Sequence, residues 1–188
     1  MSRIRPIYPA RAVQGARAIS QFMERPAAAR PARHLFRGMH IGHINLAKSS
    51  DGESEHFVKL IEALQSHGAQ QHVLVGIVEL AKRLDRVENV AVGPVVRSAV
   101  TAYCLMPAVD VVHVHDPSAA QSGLLLTLTR SIPFVLTQQD GSNARSPLAK
   151  AVYRRAAGVV YAGDADAARH LRIYRHAVSI WRSAITSP

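Results

Sequence analysis

The sequence predicts an α/β domain with a doubly wound parallel sheet. Short runs rich in Val and Ile alternate with segments of helical periodicity from residue 39 to residue 181. Residues 110–140 contain two such runs, VVHVH and PFVLT, on either side of one apolar helical segment, which is the pattern of a βαβ unit. Apolar residues make up 48% of the chain, enough for a packed core. Repeated alternation of this kind favours parallel strands joined by right-handed crossovers.

The first predicted strand and helix have clear boundaries. Residues 39–47 form the strand, and residues 48–52 form a loop. Ser50 and Glu53 fit the S-x-x-E capping box, in which the two side chains satisfy free backbone N–H groups at a helix start. Gly68 is suited to the position just after the helix, where a left-handed conformation is common.

The remaining elements follow in the same order of strand and helix. A polar stretch at residues 79–86 fits either a short helix or a loop, and Pro94 places the third strand near an edge, because proline cannot donate to a ladder. The other predicted strands are 72–78, 87–96, 109–114, 133–137, 158–162 and 177–181, and the other predicted helices are 98–106, 118–130, 146–156 and 164–174.

Residues 1–38 are predicted to be a separate, basic segment. They contain eight arginines and one acid, Glu24, for a net charge of +7, whereas residues 39–188 contain 15 basic and 12 acidic residues, for +3. So few large apolar residues cannot offset the entropy of ordering. Three interpretations stay open: a disordered basic arm, an upstream extension with Met39 as the natural start of the domain, and a targeting or membrane-surface helix.

Composition limits the class of protein. The basic excess lies in the N-terminal segment, and the predicted domain lacks basic residues interleaved with aromatic ones, so nucleic-acid binding is not expected. No run of 18 apolar residues exists, so no transmembrane helix is expected. The single cysteine, Cys104, suits a reducing compartment and is expected to be a small core residue. A cytoplasmic protein is therefore predicted.

The candidate site lies where the strands of the predicted sheet end, because doubly wound sheets bind ligands beyond their carboxyl edge. Residues at this edge can also have a purely structural role, as turn residues or helix caps, and Asp164 is more typical of an N-cap. The candidate substrate-binding residues are Ser50, Asp51, Gly52, His115, Asp116, Gln139, Asp140 and Asp164.

A pair of histidines and a set of basic residues also have the chemistry of a binding site. His113 and His115 lie two apart on one strand and share a face, but a metal ion needs a third ligand, and no Cys/His cluster in the sequence supplies one, so no metal site is predicted. His113 is expected to be half-buried and His115 to reach the crevice. The basic residues Arg145, Lys150, Arg154 and Arg155 fit a solvated helix face, or one that faces anionic lipid or an acidic partner.

From Met39 to Ile185 the chain resembles the N-terminal domain of family 4 glycosyltransferases, which have the GT-B fold. The opening MHIGHINLAKSSDGESEHFVKLIEALQSHGAQQHVLVG resembles the family's strand, glycine loop, helix and second strand. VDVVHVHDP resembles the fourth-strand signature, and SIPFVLTQQD resembles I-P-x-V-x-T-x-H-D. AAGVVYAGDADAARHLR resembles the segment A-D-x-V-x-x-x-S-x-x-x-x-x-x-L. The fold implied is one half of a GT-B enzyme, covering residues 39–188.

The resemblance implies transfer of a sugar from a nucleotide-sugar to an envelope saccharide or glycolipid, as in lipopolysaccharide or polysaccharide biosynthesis. Gly52, His115, Asp116, Gln139 and Asp140 would then line the acceptor cleft. The chain departs from the family where Gln139 replaces a histidine, where one loop glycine is absent, and where a serine is replaced near Gly163 and Asp164. The donor-binding domain of the family would have to be supplied by a separate partner, and no cofactor is implied.

Two other classes of function stay open. One is a non-catalytic scaffold of the same fold that binds a saccharide or a protein, which the replacement at Gln139 favours. The other is an unrelated Rossmann-like nucleotide binder, which the absence of G-x-G-x-x-G disfavours. A glycolipid acceptor would imply peripheral contact with the inner membrane. No Walker, H-E-x-x-H or G-x-S-x-G motif is present, and no catalytic residue is assigned.

Overall fold

The computed structural model describes Gln14, Ile19 and residues 36–48, 52–138, 146–161 and 180–182. Within these residues the protein is an α/β domain with a Rossmann-like sheet. The strands are β1 (His40–Asn45), β2 (Gln70–Val75), β3 (Val90–Val92), β4 (Val111–Val114), β5 (Phe134–Gln138), β6 (Gly158–Tyr161) and β7 (Ile180–Arg182). The helices are α1 (Gly52–Ser66), α2 (Val78–Leu84), α3 (Ala99–Leu105), α4 (Ala120–Arg130) and α5 (Pro147–Arg155).

The described strands form one sheet in the order β3-β2-β1-β4-β5-β6-β7. Every neighbouring pair is parallel. The chain therefore builds outward from β1 in one direction through β3, then returns to the other side of β1 with β4. The predicted doubly wound parallel sheet is confirmed, and β1 and β4 are the two strands between which the order reverses.

Helices cover both faces of this sheet. On one face, α3, α4 and α5 pack on the even-numbered side chains of β1 and β4, such as Ile44, Val112 and Val114. On the other face, α1 and α2 pack on side chains such as Ile41, Val73 and Val111. Burial on both faces explains why the strands read as continuous apolar runs. Polar residues inside these strands are therefore exceptions that need partners.

Local signals set the helix ends, and the stop expected at Gly68 is confirmed. Gly68 has a φ of +84°, its N–H donates to the carbonyl of Gln65, and the N–H of Ala69 donates to the carbonyl of Leu64. This pair of bonds is the Schellman motif that stops α1. Ser98 and Ser146 are the N-caps of α3 and α5, and each hydroxyl accepts a backbone N–H from the first turn.

The structure decides the expectations for the polar stretch after β2, for β3 and for Cys104. The polar stretch after β2 is the helix α2, and β3 is an edge strand that ends before Pro94. The expectation that Cys104 is a core residue is wrong, because α3 turns that side chain to the exposed face. The predicted helix at 164–174 and the capping residue Ser50 lie outside the described residues.

Disorder of the whole N-terminal segment is not confirmed. The side chains of Ile19 and Phe36 are both fully buried, and they belong to the same apolar cluster as Ile41, Leu60 and Leu64. The N–H of Phe36 also donates to the carbonyl of His67. At these two positions the basic segment contributes to the core beneath α1.

No helix in the described part of the chain combines the length and the apolar character needed to cross a membrane.

Candidate functional site

The candidate site is the carboxyl edge of the sheet between β1 and β4. In a doubly wound sheet the connections after these two strands diverge to opposite faces, which leaves a crevice for ligands. On the β1 side the described residues are Leu46, Ala47 and Lys48, and on the β4 side they begin with His115 and Asp116.

Asp116 joins the two sides of this crevice. Its Oδ2 accepts a hydrogen bond of 2.6 Å from the N–H of Leu46, 70 residues away in the sequence. Its Oδ1 accepts the N–H of Ala119 at 3.0 Å and the hydroxyl of Ser118. The residue is 8% exposed. Both carboxylate oxygens therefore hold backbone in place, which is the structural role of Asp116 in this fold.

The backbone just after β1 is also held by hydrogen bonds within the protein. The Oδ1 of Asn45 accepts the N–H of Ala47 at 3.0 Å, and the carbonyl of Asn45 accepts the N–H of Gly76. Since Leu46 donates to Asp116, both N–H groups that follow the strand have partners inside the protein. An anion at this edge would have to be bound by groups other than these two amides.

Three buried histidines lie beneath the crevice. His43 of β1 is the direct neighbour of His113 in β4, and His115 follows on the same face. The Nδ1 of His43 and the Nε2 of His115 are 3.1 Å apart, and the rings of His113 and His115 have centroids 4.0 Å apart. His43 and His113 are fully buried, and His115 is 7% exposed. Phe57 of α1 lies 4.5 Å from the ring of His115, between centroids, so that α1 covers the cluster.

Burial makes these imidazoles poor bases. Loss of solvation lowers the pKa of His113 to about 3. Burial, and then the neighbouring His113, hold the pKa of His43 well below its usual range, with a smaller opposing effect from the side chain of Gln71. Burial is again the largest cause for His115, whose pKa is also lowered by His113 and His43. The three rings are therefore neutral near pH 7, and each has one nitrogen with a lone pair.

Some polar atoms in and around the cluster have hydrogen-bond partners, and others have none. The Nε2 of His113 lies 2.8 Å from the hydroxyl of Thr137 on β5. The Nε2 of His43, the Nδ1 of His113 and the Oε1 of Gln71 are buried without a hydrogen-bond partner, although the amide nitrogen of Gln71 donates to the carbonyl of Ile61. Each unpaired buried polar atom costs about 1–3 kcal/mol.

A cavity of about 300 Å³ lies beside the crevice, between the first turns of α4 and α5. Its walls are mostly aliphatic, with the polar side chains of Gln121, Ser146 and Tyr153 among them. Leu148 is 45% exposed at its edge, and Lys150, Arg154 and Arg155 lie on the exposed side of α5. Size and lining match a small ligand site with an apolar wall and few polar contacts.

The structure describes part of the predicted site. Gly52 begins α1, Asp116 bridges the two strands, and His115 lies in the histidine cluster rather than in the cavity. The predicted site residues outside the described part of the chain are Ser50, Asp51, Gln139, Asp140 and Asp164.

The sequence pattern pairs His113 with His115 but does not reveal His43 as a third member. One nitrogen from each of the three rings can be chosen so that all three atoms lie within 4.8 Å of one another. The segments HIGHIN and VVHVH each contain a histidine, and these two histidines are paired in the sheet. The sequence does not show this pairing, because it does not show that β1 and β4 are neighbours.

No protein-family model matches this chain, and no curated protein matches it.

Proposed function

We propose that this domain is the acceptor side of a glycosyltransferase, which binds a saccharide or glycolipid at the carboxyl edge of its sheet. In this proposal a nucleotide-sugar is the donor substrate, and a second domain on the same or another polypeptide binds it. The strand order around β1 and β4 supports the proposal, because it is the order of Rossmann-like halves that bind ligands at this edge. The fold alone does not define a reaction, so the function has to be inferred from the site.

The observation that carries the proposal is the cavity between α4 and α5. Leu136, Leu148 and Val152 provide an apolar wall, and Gln121 provides an exposed amide close to it. A ligand with both a hydroxylated and an apolar part would satisfy both kinds of surface. A glycolipid, or a saccharide on a lipid carrier, has this character.

The charge of α5 supports a lipid-linked acceptor. The helix has the sequence PLAKAVYRR, with three basic residues and no acid, and its basic side chains are exposed next to Leu148. A basic helix with an exposed leucine is suited to contact with an anionic membrane surface, where each basic residue adds about 1 kcal/mol of attraction. The protein would then meet its acceptor at the membrane without crossing it.

The test is binding of octyl glucoside, below its micelle concentration, observed by backbone NMR. We expect shifts centred on Gln121, Leu148 and Ala149, with no comparable shifts from a zwitterionic octyl amphiphile of the same chain length. Leu148→Asp should abolish the sugar-specific shifts. Leu105→Asp is the matched control, because Leu105 is 44% exposed on another short helix and does not line this cavity.

Equal shifts from both amphiphiles, or unchanged binding in Leu148→Asp, would contradict the proposal that this cavity binds the acceptor. Calorimetric titration with UDP-, GDP- and ADP-sugars tests the donor side. Micromolar binding of one of them to this chain would show that a donor site lies within it, contrary to the proposal.

A second candidate is a non-catalytic saccharide-binding scaffold. The observation that favours it is the engagement of His115 and Asp116, which contact His43 and the Leu46 backbone respectively and are nearly buried. Neither is presented to a substrate in this state. Retained glucoside binding, without sugar transfer in the presence of a donor-binding partner, would favour the scaffold over the enzyme.

A further inference from the structure

The buried histidine cluster is a separate feature from the acceptor cavity, and its interpretation does not depend on the proposed function. His43, His113 and His115 come from two adjacent strands, and their rings face α1. The cluster contains three buried imidazole rings in one layer of the core. Three neutral imidazoles that share a small volume are the donor set of a transition-metal site.

We propose that His43, His113 and His115 bind one divalent transition-metal ion of the zinc class, which ties β1 to β4 beneath the crevice. Ligand nitrogens on a tetrahedral zinc ion lie about 3.4 Å apart, given Zn–N bonds of about 2.0–2.1 Å. The Nδ1 of His43 and the Nε2 of His115 are 3.1 Å apart, and all three donor atoms lie within 4.8 Å. Small rotations of the rings would complete the site.

The hydrogen-bond partners indicate which nitrogens face the ion. Thr137 lies against the Nε2 of His113, so this nitrogen can carry the proton and donate it, which leaves the unpartnered Nδ1 as the ligand atom. The Nδ1 of His43 faces His115. Its Nε2–H has no hydrogen-bond partner, and the Oε1 of Gln71, an acceptor on the same sheet face, has none either. Metal-bound histidines usually donate their second N–H to such an acceptor.

The ligand set also defines the metal. Neutral imidazoles suit Zn²⁺, Co²⁺, Ni²⁺ or Cu²⁺, whereas Mg²⁺ and Ca²⁺ prefer oxygen ligands. Three protein ligands leave one position to water, as in catalytic zinc sites. His115 retains 7% exposure at the carboxyl end of β4, which gives the ion a route from the crevice.

Cobalt(II) is the probe of choice, because tetrahedral Co²⁺ has a strong visible absorption and occupies zinc sites. The full chain carries Cys104→Ser, so that its exposed thiol cannot supply a ligand. We expect one equivalent of Co²⁺ to give the tetrahedral spectrum and Zn²⁺ to displace it. His43→Ala, His113→Ala and His115→Ala should each weaken Zn²⁺ binding by at least ~10-fold.

His72→Ala is the matched control, since His72 lies on the next strand, β2, and is half-buried but lies outside the cluster. It should keep the spectrum and the affinity of the parent. If the tetrahedral absorption is absent from the parent, or persists at full strength in His43→Ala, the metal site does not exist.

A measurement on the parent protein covers the case in which the alanine variants fail to fold. Zn²⁺ should shift the side-chain ¹⁵N resonances of three histidines at once, and it should raise the melting temperature, because an ion that binds only the folded state stabilises it. Unchanged imidazole resonances at saturating Zn²⁺ would overturn the proposal irrespective of the variants.

Discussion

The carboxylate of Asp116 accepts the backbone N–H of Leu46 at 2.6 Å, and so connects the end of β4 to the residue that follows β1. The same side chain holds Ala119 and Ser118 at the start of the next connection. One buried residue thus fixes the two chain segments that border the crevice.

Replacement of Asp116 by alanine should lower the free energy of unfolding by about 2–6 kcal/mol, because two buried N–H groups lose their acceptor at about 1–3 kcal/mol each. Asp116→Asn keeps one acceptor oxygen and should lose less. Urea unfolding measures both. Asp85→Ala, at an exposed aspartate after α2, should change stability by less than about 0.5 kcal/mol. A loss in Asp116→Ala no larger than that control would contradict the bridging role.

The burial of Ile19 and Phe36 leads to a second prediction. Ile19→Ala should destabilise the protein by about 2–5 kcal/mol and Phe36→Ala by about 3–5 kcal/mol, because each leaves a cavity in the cluster beneath α1. Val100→Ala, at a side chain that is 59% exposed, is the control and should have little effect. Thermal unfolding of the full chain provides the comparison. If all three variants have the same melting temperature, the basic segment does not pack on the domain in solution.

The buried histidines predict a pH dependence for the metal-free protein. The unfolded chain takes up a proton at each histidine near pH 6.5, while burial lowers the pKa of His113 in the folded state to about 3. Between these values the unfolded state binds more protons, so stability is full above about pH 6.5 and is lost as the pH falls toward 3. The pKa values of His43 and His115 are lowered in the same direction.

The predicted slope is up to about 1.4 kcal/mol per pH unit for each of these histidines. Urea midpoints of the chelator-treated protein across this range measure it. His113→Asn should reduce the slope by about the contribution of one histidine. Parallel slopes for the parent and His113→Asn would show that folding does not lower the pKa of His113.

Gly123 allows α4 to approach the sheet. A Cβ at this position would lie 2.7 Å from a ring carbon of Phe134, which is fully buried. Gly123→Ala should therefore destabilise the protein by about 1–3 kcal/mol, although alanine is the better helix former by about 1 kcal/mol.

The double variant Gly123→Ala/Phe134→Leu isolates that contact. Leucine removes the ring, so the alanine should cost less in this background than in the parent. Gln121→Ala, at an exposed position of the same helix, should change stability by less than about 0.5 kcal/mol. Additive effects of the two substitutions would show that the ring does not limit the space at Gly123.

The sequence predicted the described elements because both faces of the sheet are buried and the strands are rich in Val and Ile. It placed β2 at 72–78, whereas the strand is Gln70–Val75. The difference has a physical reason. Gln71 is polar, but its amide donates to the carbonyl of Ile61, so it can lie inside a strand that periodicity alone would begin later.

The candidate site was less predictable, because it depends on strand order. His115 and Asp116 follow a recognisable strand, but their partners, His43 and Leu46, lie about 70 residues earlier. Sequence patterns report which face a residue occupies and not which strand lies beside it. The roles of Asp116 as a bridge and of His43 as a third imidazole therefore emerge only from the register of β1 against β4.

The polar side chains of Gln71, His43, His113 and Thr137, which lie on four neighbouring strands, have a further consequence for folding. In a sheet that is apolar on both faces, a strand that slips by one residue still presents apolar side chains to both helical layers, so hydrophobicity is a weak guide to alignment. Here a slip of β1 by one residue would drive His43 into the layer of Met106 and Val112 and separate it from His115. The buried histidines therefore penalise a one-residue slip of β1 against its neighbours.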